Sequence, residues 1–221
     1  MKFLLSAVIF LTAAFSFSAS AQKQPKQPNM NQYKTKLGLK AGYNIAFISG
    51  VKNTNFDPNH KEGFMVAGFF GMGGGTGMGY RTELVFSRQG FSYDSMNNKI
   101  NIKQDYIYLP QLTTFNIGKF FSLQAGGQIG FLLNAKKGED SSGATQTDMM
   151  SYYNKIDYGV AGGFEIYPFK GLILGSRINY SLGPMYKRTP PADQPPFPLP
   201  FNPNEVKGKN AVVNVFLGYR F

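Results

Sequence analysis

Along "KLGLKAGYNIAF" the residues alternate. Leu37, Leu39, Ala41, Tyr43, Ile45 and Phe47 are apolar or aromatic, whereas Lys36, Gly38, Lys40, Gly42, Asn44 and Ala46 between them are charged, polar or small. A period of two marks a strand with two unlike faces, and here the face that is not apolar carries charge. The pattern recurs in "FFSLQAGGQIGFLLN", "KIDYGVAGGFEIY", "LILGSRINYSLG" and "AVVNVFLGYRF", where Leu132, Val212 and Phe216 interrupt the polar row. Three further strands are expected at about 62–72, 78–93 and 103–117. Pro110 in the last of these is expected to mark a bulge, with the facing around it left open. The count is eight strands of roughly ten to sixteen residues, long enough to cross a bilayer at a tilt.

The connections alternate in length. "GGGTG", "GK" and "PFKG" are turn-sized, while "ISGVKNTNFDPNHK", "DSMNNKIN", "AKKGEDSSGATQTDMMSYYN" and "PMYKRTPPADQPPFPLPFNPNEVKGK" are long. Short turns on one rim and long loops on the other predict an all-β fold: an eight-stranded antiparallel up-and-down transmembrane β-barrel with short periplasmic turns and long extracellular loops. A soluble barrel needs an apolar inward row. The row opposite the apolar one instead holds Lys36, Lys40, Arg81, Glu83, Asp157, Glu165, Arg177 and Arg220 among many glycines, so the apolar row is expected to face lipid.

The start of the chain fits export. "MKFLLSAVIFLTAAFSFSASAQ" has Lys2, an apolar run and the triplet Ala19, Ser20, Ala21, the form of a secretory signal peptide cleaved before Gln22. The expected organisation is a cleaved signal at 1–21, a polar periplasmic tail at 22–34 and a barrel domain at 35–221. No later stretch has the ~20 apolar residues of a transmembrane helix. With no cysteine, disulfides, thiolate metal sites and lipoprotein acylation are excluded. The signal holds one of the 23 basic and none of the 12 acidic residues, leaving 22 minus 12, or +10, a charge that favours anionic partners.

"KLGLKAGYN", "EGFMVAGFF", "RTELVFSRQGF", "YIYLPQLTTF" and the closing "VFLGYRF" together resemble the outer-membrane β-barrel domain family, the PorT-like "porin family" small barrels of Bacteroidota, over about residues 35 to 221. The most distinctive piece, "ELVFSRQG", is similar to the family's Glu-Leu-hydrophobic-aromatic-Ser-x-Lys-Gly segment, with Gln89 where a lysine is usual. The resemblance implies an integral outer-membrane protein of a Gram-negative bacterium and carries over no catalytic residues.

An eight-stranded barrel has a lumen its own side chains can fill. Lys40, Arg81, Glu83, Asp157, Glu165, Arg177 and Arg220 are therefore expected to form an inward ion network that plugs it, because an unpaired buried charge costs several kcal/mol. The expected role is structural, adhesive or in envelope assembly, without catalysis, cofactor or metal. One alternative is a narrow pore for small anions. Another is an outer-membrane lipid-modifying enzyme using His60, the sole histidine, near Asp57 and Glu62, since such chemistry recruits a general base. Lys52, Lys61, Lys99, Lys136, Lys137, Lys187, Arg188, Lys207 and Lys209 are expected at the outer rim as lipopolysaccharide contacts. The proline-rich last loop is a candidate docking arm for a protein partner, although such a stretch is more often a stiff surface loop. "GMGGGTGMG" lacks the Lys-Ser/Thr of a phosphate loop, and no nucleic-acid role is expected. By resemblance to other outer-membrane barrels, Tyr219 and the terminal Phe221 look like a signal read by the barrel-assembly machinery.

Overall fold

A computed structural model describes residues 35–50, 58–72, 76–95, 98–139, 146–187 and 208–221. The expected signal peptide and tail, most of the "GGGTG" turn and most of the proline-rich loop lie outside the described residues, as do Lys52, Asp57, Arg188 and Lys207.

Strict alternation gives each segment one face for each surrounding, and the sheet that results is a ring. The strands are β1 (Thr35–Ser49), β2 (Asn59–Met72), β3 (Gly77–Ser95), β4 (Asn98–Ile117), β5 (Phe121–Glu139), β6 (Thr147–Asp148), β7 (Ile156–Ile166), β8 (Leu172–Ser181) and β9 (Lys209–Arg220). They run in the order β4-β3-β2-β1-β9-β8-β7-β5, and a β4–β5 pairing closes the circle. Eight long strands make the antiparallel up-and-down wall. The ninth, β6, is a two-residue spur on the C-terminal end of β5, pairing Thr147 and Asp148 with Lys137 and Lys136. The eight expected strands therefore become nine, because Thr147–Asp148 of the loop "AKKGEDSSGATQTDMMSYYN" fold back onto the strand before it.

The turns at one rim are tight. Gly118 (φ 64°) and Gly171 (φ 86°) take the left-handed backbone that lets β4–β5 and β7–β8 reverse within a few residues. At the opposite rim, β3, β4 and β5 run on for 19, 20 and 19 residues, against 11, 10 and 12 in β7, β8 and β9. About 9 to 11 residues suffice to cross a bilayer, so β3 to β5 project beyond the rest of the wall. Much of "DSMNNKIN" is thus strand, and Lys61, Lys99, Lys136, Lys137 and Lys209 sit on strand ends at the rim opposite the tight turns instead of in loops.

Pro110 does not mark a bulge. Thr82 pairs with Gln111 and Val85 with Tyr108, so the β3–β4 register is the same on both sides of it. Only the pairing of Glu83 and Leu84 is missing there, as expected opposite a residue with no N–H to donate. Pro110 faces inward and is buried. The true shifts lie between His60 and Met65 on β2 and at Asp105/Tyr106 against β5.

Outside, the lower and middle wall exposes Leu39, Val66, Leu84, Phe115, Ile129, Val160, Ile178 and Leu217, a continuous apolar belt. Inside, Lys40, Glu83, Glu165 and Arg177 are almost wholly buried. Polar residues in and apolar residues out is the arrangement of a barrel whose solvent is lipid.

Candidate functional site

The lumen fills in storeys. In the lowest, Lys40 Nζ lies 2.6 Å from Oε1 of both Glu83 and Glu165. Arg81 Nη1 stands 2.6 Å from Glu165 Oε1, and Arg177 Nη1 2.8 Å from Glu83 Oε2. Tyr167 donates its hydroxyl to Glu165 Oε2 at 2.7 Å. These side chains come from β1, β3, β7 and β8, and β3 and β7 are not neighbours in the ring, so Arg81 to Glu165 is a strut across the barrel.

Three bases against two acids leave one positive charge over. Two aromatic rings face it: Lys40 lies 5.0 Å from the centre of Phe69 and 4.7 Å from that of Phe216, with Arg81 4.5 Å from Phe69 and Arg177 5.8 Å from Phe216. The negative ring faces attract the desolvated cations. Gly175 makes room for this, since a Cβ there would stand 2.6 Å from the Phe216 ring.

Above lies a layer of amides and hydroxyls. Asn44 Nδ2 donates to Ser87 Oγ at 2.9 Å, and Asn214 Nδ2 to Asn44 Oδ1 at 2.6 Å. Asp157 belongs here and not to the ion cluster, accepting from Ser181 Oγ (2.5 Å) and Tyr108 OH (3.1 Å). Arg220 also stands apart, at the rim with the tight turns, over the ring of Tyr167 at 5.0 Å. Five of the seven expected lumen charges therefore meet, and two do not. A cavity of about 10 Å³, the space of about one water, is lined here by Ser87, Gln89, Tyr108, Gln128, Arg177 and Asn214 among others.

The top storey is apolar. Phe91, Tyr93, Ile100, Ile102, Tyr106, Leu132, Ala135, Met149, Tyr152, Tyr153, Met185 and Tyr186 are all buried in one cluster. Its lid comes from 146–155 and 182–187, held down by backbone bonds Met149 N to Ala135 O (2.9 Å), Leu132 N to Lys155 O (2.8 Å) and Asn154 N to Met185 O (2.9 Å). Asn154 Nδ2 adds donations to Pro184 O and Tyr186 O. Tyr153 and Tyr186 form an isolated bridge with ring centres 5.1 Å apart. Burial pushes both phenols well above their ordinary pKa, so they are neutral caps.

Sequence reasoning missed the aromatic partners of the ion cluster and the whole cap. The signal was present: Leu132, Val212 and Phe216, the exceptions in the polar row, are all buried and inward. His60 is exposed at the start of β2, its ring 5.9 Å from that of Phe47. No group of three or more His, Cys, Asp or Glu that could hold a metal occurs among the described residues. At the other rim Tyr219 and Phe221 point outward with edge-on rings 5.5 Å apart, and Phe221 N donates to Leu37 O at 2.9 Å.

Among solved structures, the chain is similar to Neisserial surface protein A, at 12% identity over 86% of this chain and 99% of that one, with a TM-score of 0.51. It also resembles Ail of Yersinia pestis, solved with the heparin analogue sucrose octasulfate (16% identity, 85% and 99% covered, TM-score 0.45). OprG of Pseudomonas aeruginosa matches at 14% identity, 86% and 97% covered, TM-score 0.43. At 12% identity the likeness to Neisserial surface protein A speaks to the fold alone. No curated protein matches the chain. The family model described as outer membrane protein beta-barrel domain matches residues 20–187, most of the chain up to the segment before β9, and the chain therefore belongs to the outer membrane protein beta-barrel domain family.

Proposed function

We propose that this protein is a non-conducting, non-enzymatic outer-membrane barrel with a structural, adhesive or envelope-assembly role. The observation that carries the reading is the filled lumen: an ion cluster strapped across the base and an aromatic cap above it. Opening a path for ions means breaking buried ion pairs, at several kcal/mol each. Single-channel recording of the purified protein in planar bilayers tests this. No steps above background are expected, and steady conductance steps overturn the reading in favour of a narrow anion pore.

The remaining parts of the reading concern orientation and partners. Thr35 and Phe221 lie at the rim with the short connections, which supports periplasmic termini and an extracellular cap, with residues 1–21 removed as a signal and 22–34 left as a tail. The Bacteroidota, PorT-like affinity rests on the segment "ELVFSRQG". The exposed lysines of the outer strand ends support contact with lipopolysaccharide, and the proline-rich loop remains the candidate arm for a protein partner. Tyr219 and Phe221, outward at the seam, support recognition by the assembly machinery. Deleting Phe221 is expected to lower the folded fraction in outer membranes, read as loss of the heat-modifiable gel band; normal levels of folded protein would count against that role.

A further inference from the structure

Lys103 on β4 and Lys136 on β5 are direct cross-strand partners, and both are exposed. Like charges in that position repel. Neither makes an ion pair or hydrogen bond among the described residues. Two acids stand near them in the register, and neither makes an ion pair with Lys103 or Lys136. Asp148, opposite Lys136 on β6, accepts from the Met150 backbone N–H at 2.8 Å. Asp105, two residues from Lys103, is gripped by Arg88 at 2.7 and 3.2 Å.

A third ammonium joins them. Gly90 stands opposite Lys103 on β3 with φ 155°, and a Cβ there would fall 3.3 Å from Lys61 Cδ. With no side chain at that point, the Lys61 stem crosses β3 and delivers Nζ to Asn101 Oδ1 at 2.7 Å. Asn101 is two residues from Lys103, hence on the same face of β4. The first outward apolar residues of β4 toward the other rim are Ile107 and Leu109, the former about 13 Å along the strand from Lys103. The lysine row therefore stands just past the apolar belt, at the depth of lipid head groups.

We propose that Lys61, Lys103 and Lys136 form a clamp for a phosphate group on the head group of an outer-leaflet glycolipid. The anion relieves the Lys103–Lys136 repulsion, and Lys61, brought to Asn101 beside them, adds a third positive charge. The clamp rests on the reading of this rim as extracellular and lipopolysaccharide-facing, and it assigns that contact to one site.

The test uses the full chain refolded into phosphatidylcholine nanodiscs containing lipopolysaccharide, with folding of every variant checked by gel mobility. Lipopolysaccharide retained per barrel after re-extraction is the readout. The double variant K103Q/K136Q is expected to retain on the order of tenfold less than the parent, and K119Q/K170Q, an equal charge change at the opposite rim, the same amount as the parent. Inorganic pyrophosphate added in solution is expected not to displace the lipid. Equal retention by K103Q/K136Q, equal loss in K119Q/K170Q, or displacement by pyrophosphate overturns the clamp. If K103Q/K136Q retains lipid and K187Q/K209Q loses it, the site is wrong and the broader lipopolysaccharide reading stands. A parent that retains none overturns both.

Discussion

At one end of β4, Phe115 and Ile117 are exposed while Thr114 and Asn116 are buried. At the other end of the same strand, Lys99 and Lys103 are exposed while Ile100 and Ile102 are buried. Odd-numbered residues face out along the whole strand, so the chain has not slipped; the chemistry of the two faces has been exchanged. β3 does the same, going from buried Arg81 and Glu83 beneath exposed Leu84 to buried Phe91 and Tyr93 beneath exposed Arg88 and Asp94. The lower barrel is held from inside by charge and wetted outside by hydrocarbon. The upper barrel is held like a small water-soluble domain, by burial of apolar side chains. One continuous sheet thus serves two solvents, and the level at which its faces exchange marks one edge of the membrane.

The comparison is open to attack from both ends. Glu83→Ala strips Lys40 and Arg177 of a buried partner and is expected to cost about 3–5 kcal/mol of barrel stability, measured by urea unfolding in lipid vesicles; a cost near zero would mean that the lumen is wet and the cluster screened. Ile129→Arg, on the lipid face, should cost about 2–4 kcal/mol by the same assay, whereas charge on the outward face above the boundary, as at Lys103, is native. Leu132→Ala removes a cap contact. Its effect should be local, about 2 kcal/mol, seen as faster amide exchange over 149–155 with the lower strands unchanged. Global unfolding instead would show that the two storeys are one cooperative unit.

The smallest effect is a pH response confined to the cap. Buried Tyr153 and Tyr186 keep their protons far above the pKa near 10 of an unfolded tyrosine. Above that pH the unfolded chain binds fewer protons than the native one, so the cap is stable below pH 10 and loses stability as pH rises beyond it. Absorbance titration at 295 nm should leave Tyr153 and Tyr186 un-ionised until the cap opens. Titration of all of them near pH 10 with the cap intact would show that it is not dry.

The wall was legible because its alternation is nearly unbroken and its connections alternate in length. The charge-bearing inward row was legible too, although the sequence could not say which charges would meet: Asp157 and Arg220 share a face with the cluster but stand at other heights. The cap was not legible for a definite reason. "KINIKQDYIY" alternates as cleanly as "QLTTFNI", but with the apolar residues on the other parity, and Pro110 between them obscured the exchange. Lys103 was overlooked as a site residue because it lies in a strand, and its directly opposed lysine follows only from the β4–β5 register. Conversely, Leu132 and Phe216 looked like blemishes in a pattern and are respectively part of the cap and a ring facing two buried cations.

The seam between β1 and β9 has a consequence for how the molecule comes into being. The Asn214–Asn44 hydrogen bond joins residues 170 positions apart, and the twelve register pairs from Gly38–Arg220 to Ser49–Lys209 form only after β9 is available. Contacts this remote are slow to form because the intervening chain must first be confined. Until then β1 presents an unpaired edge to any other strand it meets. Whatever shields that edge in the interval before the circle closes is therefore expected to raise the yield of folded barrel.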